Sequence, residues 1–99
     1  MANQQNDINL DYLYRAILML KNMEDCQNFL EDLCTVSELY EMSRRLQAAR
    51  MLNRGYVYSE IAEETGLSTA TISRVNRCLR FGSDGYLRVL DRLDKAEHR

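Results

Sequence analysis

Residues 58–77, Tyr58-Ser-Glu-Ile-Ala-Glu-Glu-Thr-Gly-Leu-Ser-Thr-Ala-Thr-Ile-Ser-Arg-Val-Asn-Arg77, place a small residue, a turn glycine and apolar anchors at the offsets that a two-helix corner demands. Ser59 can cap a first helix, Ile61 presents an apolar side chain toward a partner helix, and Ala62 is the small residue at the crossing. Four residues on, Gly66 stands where that helix must end in a left-handed backbone conformation, which a residue with a Cβ adopts only at a cost. Leu67 can plug the corner, Ser68 can cap a second helix, and Ile72 and Val75 recur at helical spacing to bury it against the first. Thr69, Ala70, Thr71, Ser73, Arg74 and Arg77 remain for the outer face. A lone glycine between helices would say little, but these offsets together describe a helix-turn-helix, and the outer face is polar and basic.

The rest of the chain reads as helix too. Proline is absent, and all four glycines (Gly55, Gly66, Gly82 and Gly85) lie in the second half at plausible breaks. Leu10, Leu13, Tyr14, Ile17 and Leu20 recur at three or four, and Tyr12, Leu18 and Met19 make that segment apolar around most of its circumference. Ninety-nine residues offer little deep core for such a helix, so a subunit interface is expected around it. A second stripe, Cys26, Phe29, Leu30 and Leu33, follows a break near residues 21–23. Thr35-Val-Ser-Glu38 is a capping box opening a long third helix, whose stripe runs Leu39, Met42, Leu46, Ala49 and Leu52 to a stop at Gly55. After the corner, Phe81-Gly-Ser-Asp-Gly85 is a turn with Asp84 available as a cap, and Tyr86, Leu87, Leu90 and Leu93 mark a sixth helix. Roughly the first six residues are polar enough to be disordered.

Charge is strongly segregated. The chain has a net charge of −2 and a pI of about 5.4. Residues 1–43 carry eight acids against Arg15 and Lys21, a balance of −6, whereas residues 44–99 carry eleven bases against seven acids, a balance of +4. Arg44, Arg45, Arg50 and Arg54 precede the corner without an intervening acid, and Arg74, Arg77 and Arg80 follow likewise. Local positive potential, not the whole-chain sum, governs attraction to nucleic acid, so an acidic first half is compatible with DNA binding. Cys26, Cys34 and Cys78 form no C-x-x-C pair and His98 is the single histidine, which supports neither a metal site nor a disulfide framework. The cysteines read as apolar filler without assigned chemistry. No grouped nucleophile, base and orienting residue and no Gly-rich phosphate loop is present, so an enzyme is not expected, and no cofactor is assigned. Without a membrane-length apolar tract or a leader-like start, a cytoplasmic protein is expected.

Six helices in this order resemble the Trp repressor family over nearly the whole chain, and within it the YerC/YecD-type branch. The likeness is carried by Leu33-Cys-Thr-Val-Ser-Glu38, Arg44-Arg-Leu-Gln-Ala-Ala-Arg-Met-Leu52, Thr65-Gly-Leu-Ser-Thr-Ala-Thr-Ile-Ser-Arg74 and Arg77-Cys-Leu79. The resemblance implies an all-α, six-helix Trp repressor-like fold forming an intertwined homodimer. Residues 1–99 then make one DNA-binding domain, with dimerisation helices at 1–54, the helix-turn-helix at 58–80 and a C-terminal helix at 84–97. It also implies a sequence-specific regulator of transcription, a repressor, bound to double-stranded DNA at a pseudo-palindromic operator.

Site residues follow from motif and resemblance together. Ser68, Thr69 and Ala70 at the N-terminal end of the second motif helix are expected at base edges, where small side chains allow close approach and Thr69 and Ala70 can touch thymine methyls. Thr71, Ser73 and Arg80 match phosphate-contacting positions of the family, and Arg44 lies where it can face the backbone. For Thr71 and Ser73, a hydroxyl bonded to the carbonyl one turn back is the competing expectation. The arginine pair that holds tryptophan in the family matches Arg45 and Arg74, the candidate effector residues here. The glycine that leaves room for the indole ring is replaced by Val75, which occupies part of that space. Tryptophan is therefore not the expected corepressor, and a regulator without a small-molecule effector is favoured over one with an unknown effector. The alternative reading is a helical dimer serving as a protein–protein interaction module without specific DNA binding.

Overall fold

The computed structural model describes residues 4–98, and side-chain exposure from residue 8. Six helices form: α1 (Gln4–Leu18), α2 (Met23–Leu33), α3 (Val36–Asn53), α4 (Tyr58–Thr65), α5 (Thr69–Phe81) and α6 (Gly85–Glu97). No strand occurs among the described residues. Helix α1 starts inside the segment expected to be disordered; residues 1–3 of that segment lie outside the described residues.

The chain divides into two compact units, the first ending at Leu39 and the second beginning at Tyr40. The first contains α1, α2 and the opening of α3. Helix α1 ends as its last turn tightens, with the Met19 and Leu20 N–H groups donating to Ala16 and Ile17 carbonyls three residues back. Asn22 then caps α2, its Oδ1 accepting from the Asp25 N–H at 2.8 Å. The capping box at α3 forms as expected: the Thr35 N–H donates to Glu38 Oε1 at 2.8 Å and the Glu38 N–H donates to Thr35 Oγ1 at 3.1 Å. No described side chain of this unit is buried. Instead Tyr12, Tyr14, Ile17, Leu18 and Met19 of the α1 segment are exposed, Leu18 to 76%.

The second unit holds the core. Ala48, Ala49, Met51 and Leu52 of α3, Ile61 of α4, Leu67 at the corner, Ile72, Val75 and Leu79 of α5 and Leu90 of α6 form one buried cluster. Full burial of each large aliphatic side chain is worth roughly 1.5–3 kcal/mol, so Ile61 and Ile72, both at 0% exposure, are principal anchors of the corner. The α3 stripe divides: its last two turns are buried, whereas Met42 and Leu46 remain exposed. Helix α3 ends before Gly55, whose φ of 90° lies in the left-handed region.

Two local expectations are corrected. Ser59 does not cap α4, because the helix already includes Tyr58 and its cap position is Val57. Valine has no side-chain acceptor, and the helix start is tied by the Glu60 carboxylate, which accepts from the Val57 N–H at 3.0 Å. Asp84 does occupy the cap position of α6, yet its carboxylate makes no capping bond because the residue is held at φ 65°, a left-handed conformation. The sixth helix forms where expected; of its apolar residues only Leu90 is buried, while Leu87 and Leu93 are exposed and Tyr86 packs at the edge of the cluster.

Two outcomes follow. The Thr35 backbone N–H and then the Thr35 hydroxyl hold the Glu38 carboxyl below the usual glutamate range. A depressed folded pKa contributes stability above the unfolded value of about 4.3 and loses it as pH falls through the folded value. Thr35→Val should raise the Glu38 pKa, read by a carboxylate NMR titration, and narrow that acid-side loss. Gly66→Ala meets no atom within 4 Å of the new Cβ, so its cost is that of the left-handed backbone alone, about 1–2 kcal/mol in urea unfolding.

Candidate nucleic-acid interface

The corner is built by Thr65 and Gly66. The Thr65 hydroxyl donates to the Ile61 carbonyl at 2.7 Å and accepts from the Leu67 N–H at 3.2 Å, so a buried polar group is satisfied on both sides of the turn. Gly66, at φ 76°, reverses the chain, and its N–H donates to the Ala62 carbonyl at 2.8 Å. Ser68 caps α5: its Oγ accepts from the Thr71 N–H at 3.1 Å and its hydroxyl donates to Thr71 Oγ1 at 3.0 Å.

With Ile72, Val75 and Leu79 inward, the outer arc of α5 is determined. At about 100° per residue, Thr69, Ser73, Asn76 and Arg80 fall within about 60° of one another along one flank. Ala70, Arg77 and Arg74 occupy the middle of the arc, and Thr71 marks the opposite flank, about 160° from Ser73. Thr69, Ala70, Ser73, Arg74, Arg77 and Arg80 are exposed, and Thr71 is half-buried. No acid occurs between Glu64 and Asp84, so this arc is basic without internal neutralisation. Arg80 is further held, its Nε–H donating to Asn76 Oδ1 at 3.2 Å.

The back-bond to the carbonyl one turn earlier, the competing expectation for Thr71 and Ser73, is made by neither hydroxyl among the described residues; Thr71 Oγ1 instead accepts a hydrogen bond from the Ser68 hydroxyl. Asn76 lies outside the motif's signature positions, yet an Asn four residues before an Arg on a helix is a recognisable hydrogen-bonding pair.

The basic run before the corner is less free than its spacing suggests. Helix α6 supplies acids to it: Glu97 Oε2 lies 3.4 Å from Arg50 Nη2, and Asp94 Oδ1 lies 3.2 Å from Arg54 Nη2. Both pairs are partly exposed and contribute about 0–1 kcal/mol each, but they neutralise two of the four arginines. Arg44 is exposed, its guanidinium 5.9 Å from the Tyr40 ring centre. Arg44 and Arg50 line a cavity of about 420 Å³ beside α3 with Glu64, Leu90 and Asp94; Arg45 and Arg74 do not line it. Arg45 is half-buried on α3 and Arg74 exposed on α5.

The model of the Trp repressor protein family matches residues 8–94. The chain belongs to the Trp repressor family. The uncharacterised protein YerC of Bacillus subtilis (strain 168) is 51% identical over 88 residues, covering 89% of this chain and 85% of that protein. Two solved structures share the fold. The TrpR-like protein from Eubacterium eligens superposes with a TM-score of 0.84 at 49% identity, covering 87% of this chain and 89% of the other. A Staphylococcus aureus protein provisionally assigned as a Trp repressor gives a TM-score of 0.84 at 48% identity, covering 94% and 96%. The six-helix Trp repressor-like fold and its YerC-type relationship are thus as expected, and family membership points to a DNA-binding regulator. Val75, which the resemblance sets against a ring-accommodating glycine, is a core residue of this chain, 2% exposed.

Ser68→Ala removes both the cap and the Thr71 bond and should cost about 1 kcal/mol in urea unfolding. Ser68→Asn, which keeps a capping oxygen, should restore most of that stability.

Proposed function

We propose that this protein is a homodimeric, sequence-specific DNA-binding regulator of transcription, a cytoplasmic repressor acting at a pseudo-palindromic operator. The observation that carries this reading is the outer arc of α5: an exposed, acid-free helix face set by a buried corner. The N-terminal end of α5 enters the major groove, with Thr69 and Ala70 at base edges. Ser68 stands beside them with its hydroxyl engaged by Thr71. Thr71 on one flank and Ser73 and Arg80 on the other meet phosphates on the two sides of the groove, and Arg44 adds a contact from α3. Because Thr71 Oγ1 accepts the Ser68 proton, its own proton is free to donate to a phosphate oxygen.

The dimer is supported by the first unit, whose described side chains are never buried while large apolar ones stand exposed. Exposed apolar surface of that extent in a small chain marks an interface. Two α5 helices related by a two-fold axis suit half-sites about 34 Å apart. One feature supports a regulator without tryptophan as corepressor: Val75 is a core residue whose methyl groups fill space. Among the described residues no helix is long and apolar enough to cross a membrane.

Capture of genomic fragments by the purified protein, followed by sequencing, should return duplexes with two-fold symmetric half-sites one helical turn apart. On such a duplex, Arg80→Ala should weaken binding to all sequences alike and lower the salt slope by about 0.9 per lost phosphate contact. Thr69→Ala should instead change the preference between sites. A monomeric protein indifferent to any duplex in dilute buffer would overturn the proposal, and salt-insensitive capture of a protein partner would replace it with an interaction module.

A further inference from the structure

Resting on that reading, we infer that Asn76 is a positioning residue for Arg80, presetting its guanidinium for a phosphate before DNA arrives. Arg80 is an exposed side chain near the end of α5. A free arginine of this kind samples many rotamers and must lose them on making a directional contact. Here the Nε–H is already committed to Asn76 Oδ1 at 3.2 Å. Of the five guanidinium N–H groups, the four on the terminal nitrogens are then left for an acceptor. With the Nε edge occupied by Asn76, the two terminal nitrogens form the open fork that suits two phosphate oxygens.

Placement supports the assignment. Asn76 lies on the same flank of α5 as Thr69, Ser73 and Arg80, one turn before the arginine. It is half-buried at the margin of the cluster formed by Ile72, Val75 and Leu79. A short, half-buried side chain has fewer rotamers to lose than the long, exposed Arg80. Neither residue is paired with an acid, since no carboxylate lies on α5, and the ion pairs of this unit belong to Arg50, Arg54 and Lys95 among the described residues. The hydrogen bond therefore orients Arg80 without cancelling its charge. An aspartate at the same position would have oriented the guanidinium and neutralised it.

The test uses the intact protein and a captured duplex, with binding measured by fluorescence anisotropy across a salt series for the parent, Asn76→Ala, Arg80→Ala and the double variant. Asn76→Ala should weaken binding about twofold, the scale of an i,i+4 side-chain pair, and leave the salt slope unchanged because the phosphate contact is still made. Arg80→Ala should lower the slope by about 0.9. In the Arg80→Ala background, Asn76→Ala should have no further effect. Alanine is a good helix former, and melting curves for each variant separate a folding defect from a binding one. If Asn76→Ala leaves affinity unchanged while Arg80→Ala lowers it, or if the asparagine effect persists without Arg80, the positioning role is overturned and the DNA-binding reading stands. If the parent protein binds no duplex, both fall together.

Discussion

The direction of α5 depends on two buried isoleucines placed on either side of one turn. Ile61 and Ile72 are both fully shielded in the same cluster, and the segment between them has a single reversal, at Gly66. Because Leu67 fills the inside of that reversal and Thr65 satisfies the polar groups on both sides of it, α4 and α5 have little freedom to change their crossing. Every property assigned to the outer face of α5 is inherited from this inner contact. The exposed arc is the complement of the buried one.

The corner was legible in the sequence because each of its requirements falls on a residue type with one physical reason to be there. Gly66 accommodates a positive φ, Ser68 has the short hydroxyl of a cap, and Ile72 and Val75 repeat at helical spacing. Helix termini were less legible where side chains could play more than one part. Ser59 looks like a cap, yet the Glu60 carboxylate reaches the Val57 N–H and starts the helix one residue ahead of it. Asp84 stands at the cap position, but its left-handed backbone does not leave it a capping bond. The α3 stripe marks the helix but not its depth. Periodicity finds apolar residues without saying how fully they are covered, and Met42 and Leu46 remain 37% and 39% exposed.

Charge shows the same difference between linear and spatial order. Along the chain, four arginines precede the corner with no acid between them, which reads as a continuous basic approach. In space, Asp94 and Glu97 of α6 lie against Arg54 and Arg50. Among the described residues, Arg44 and Arg45 of the earlier run and Arg88 and Arg92 of α6 are not paired with acids, while the three arginines of α5 stand on a helix that carries no carboxylate. A helix face free of acids keeps its local positive potential, which governs attraction to a polyanion more than the whole-chain charge does.

The polar residues on α5 extend this logic from charge to geometry. Hydroxyl and guanidinium groups on an exposed helix would ordinarily be disordered by rotation, and each contact they make would carry the entropy of fixing them. Ser68 binds both the backbone and the hydroxyl of Thr71, and Asn76 binds the Nε of Arg80. One bond lies at each end of the helix, and the two held side chains lie on opposite flanks of the outer arc. Between the flanks, Ala70 keeps the N-terminal part of the arc small, ahead of the exposed Arg74 and Arg77, so α5 opens on a low surface beside polar side chains that are already oriented. The cost of ordering those side chains is met in part during folding, when Ile72, Val75 and Leu79 fix the helix on which they stand.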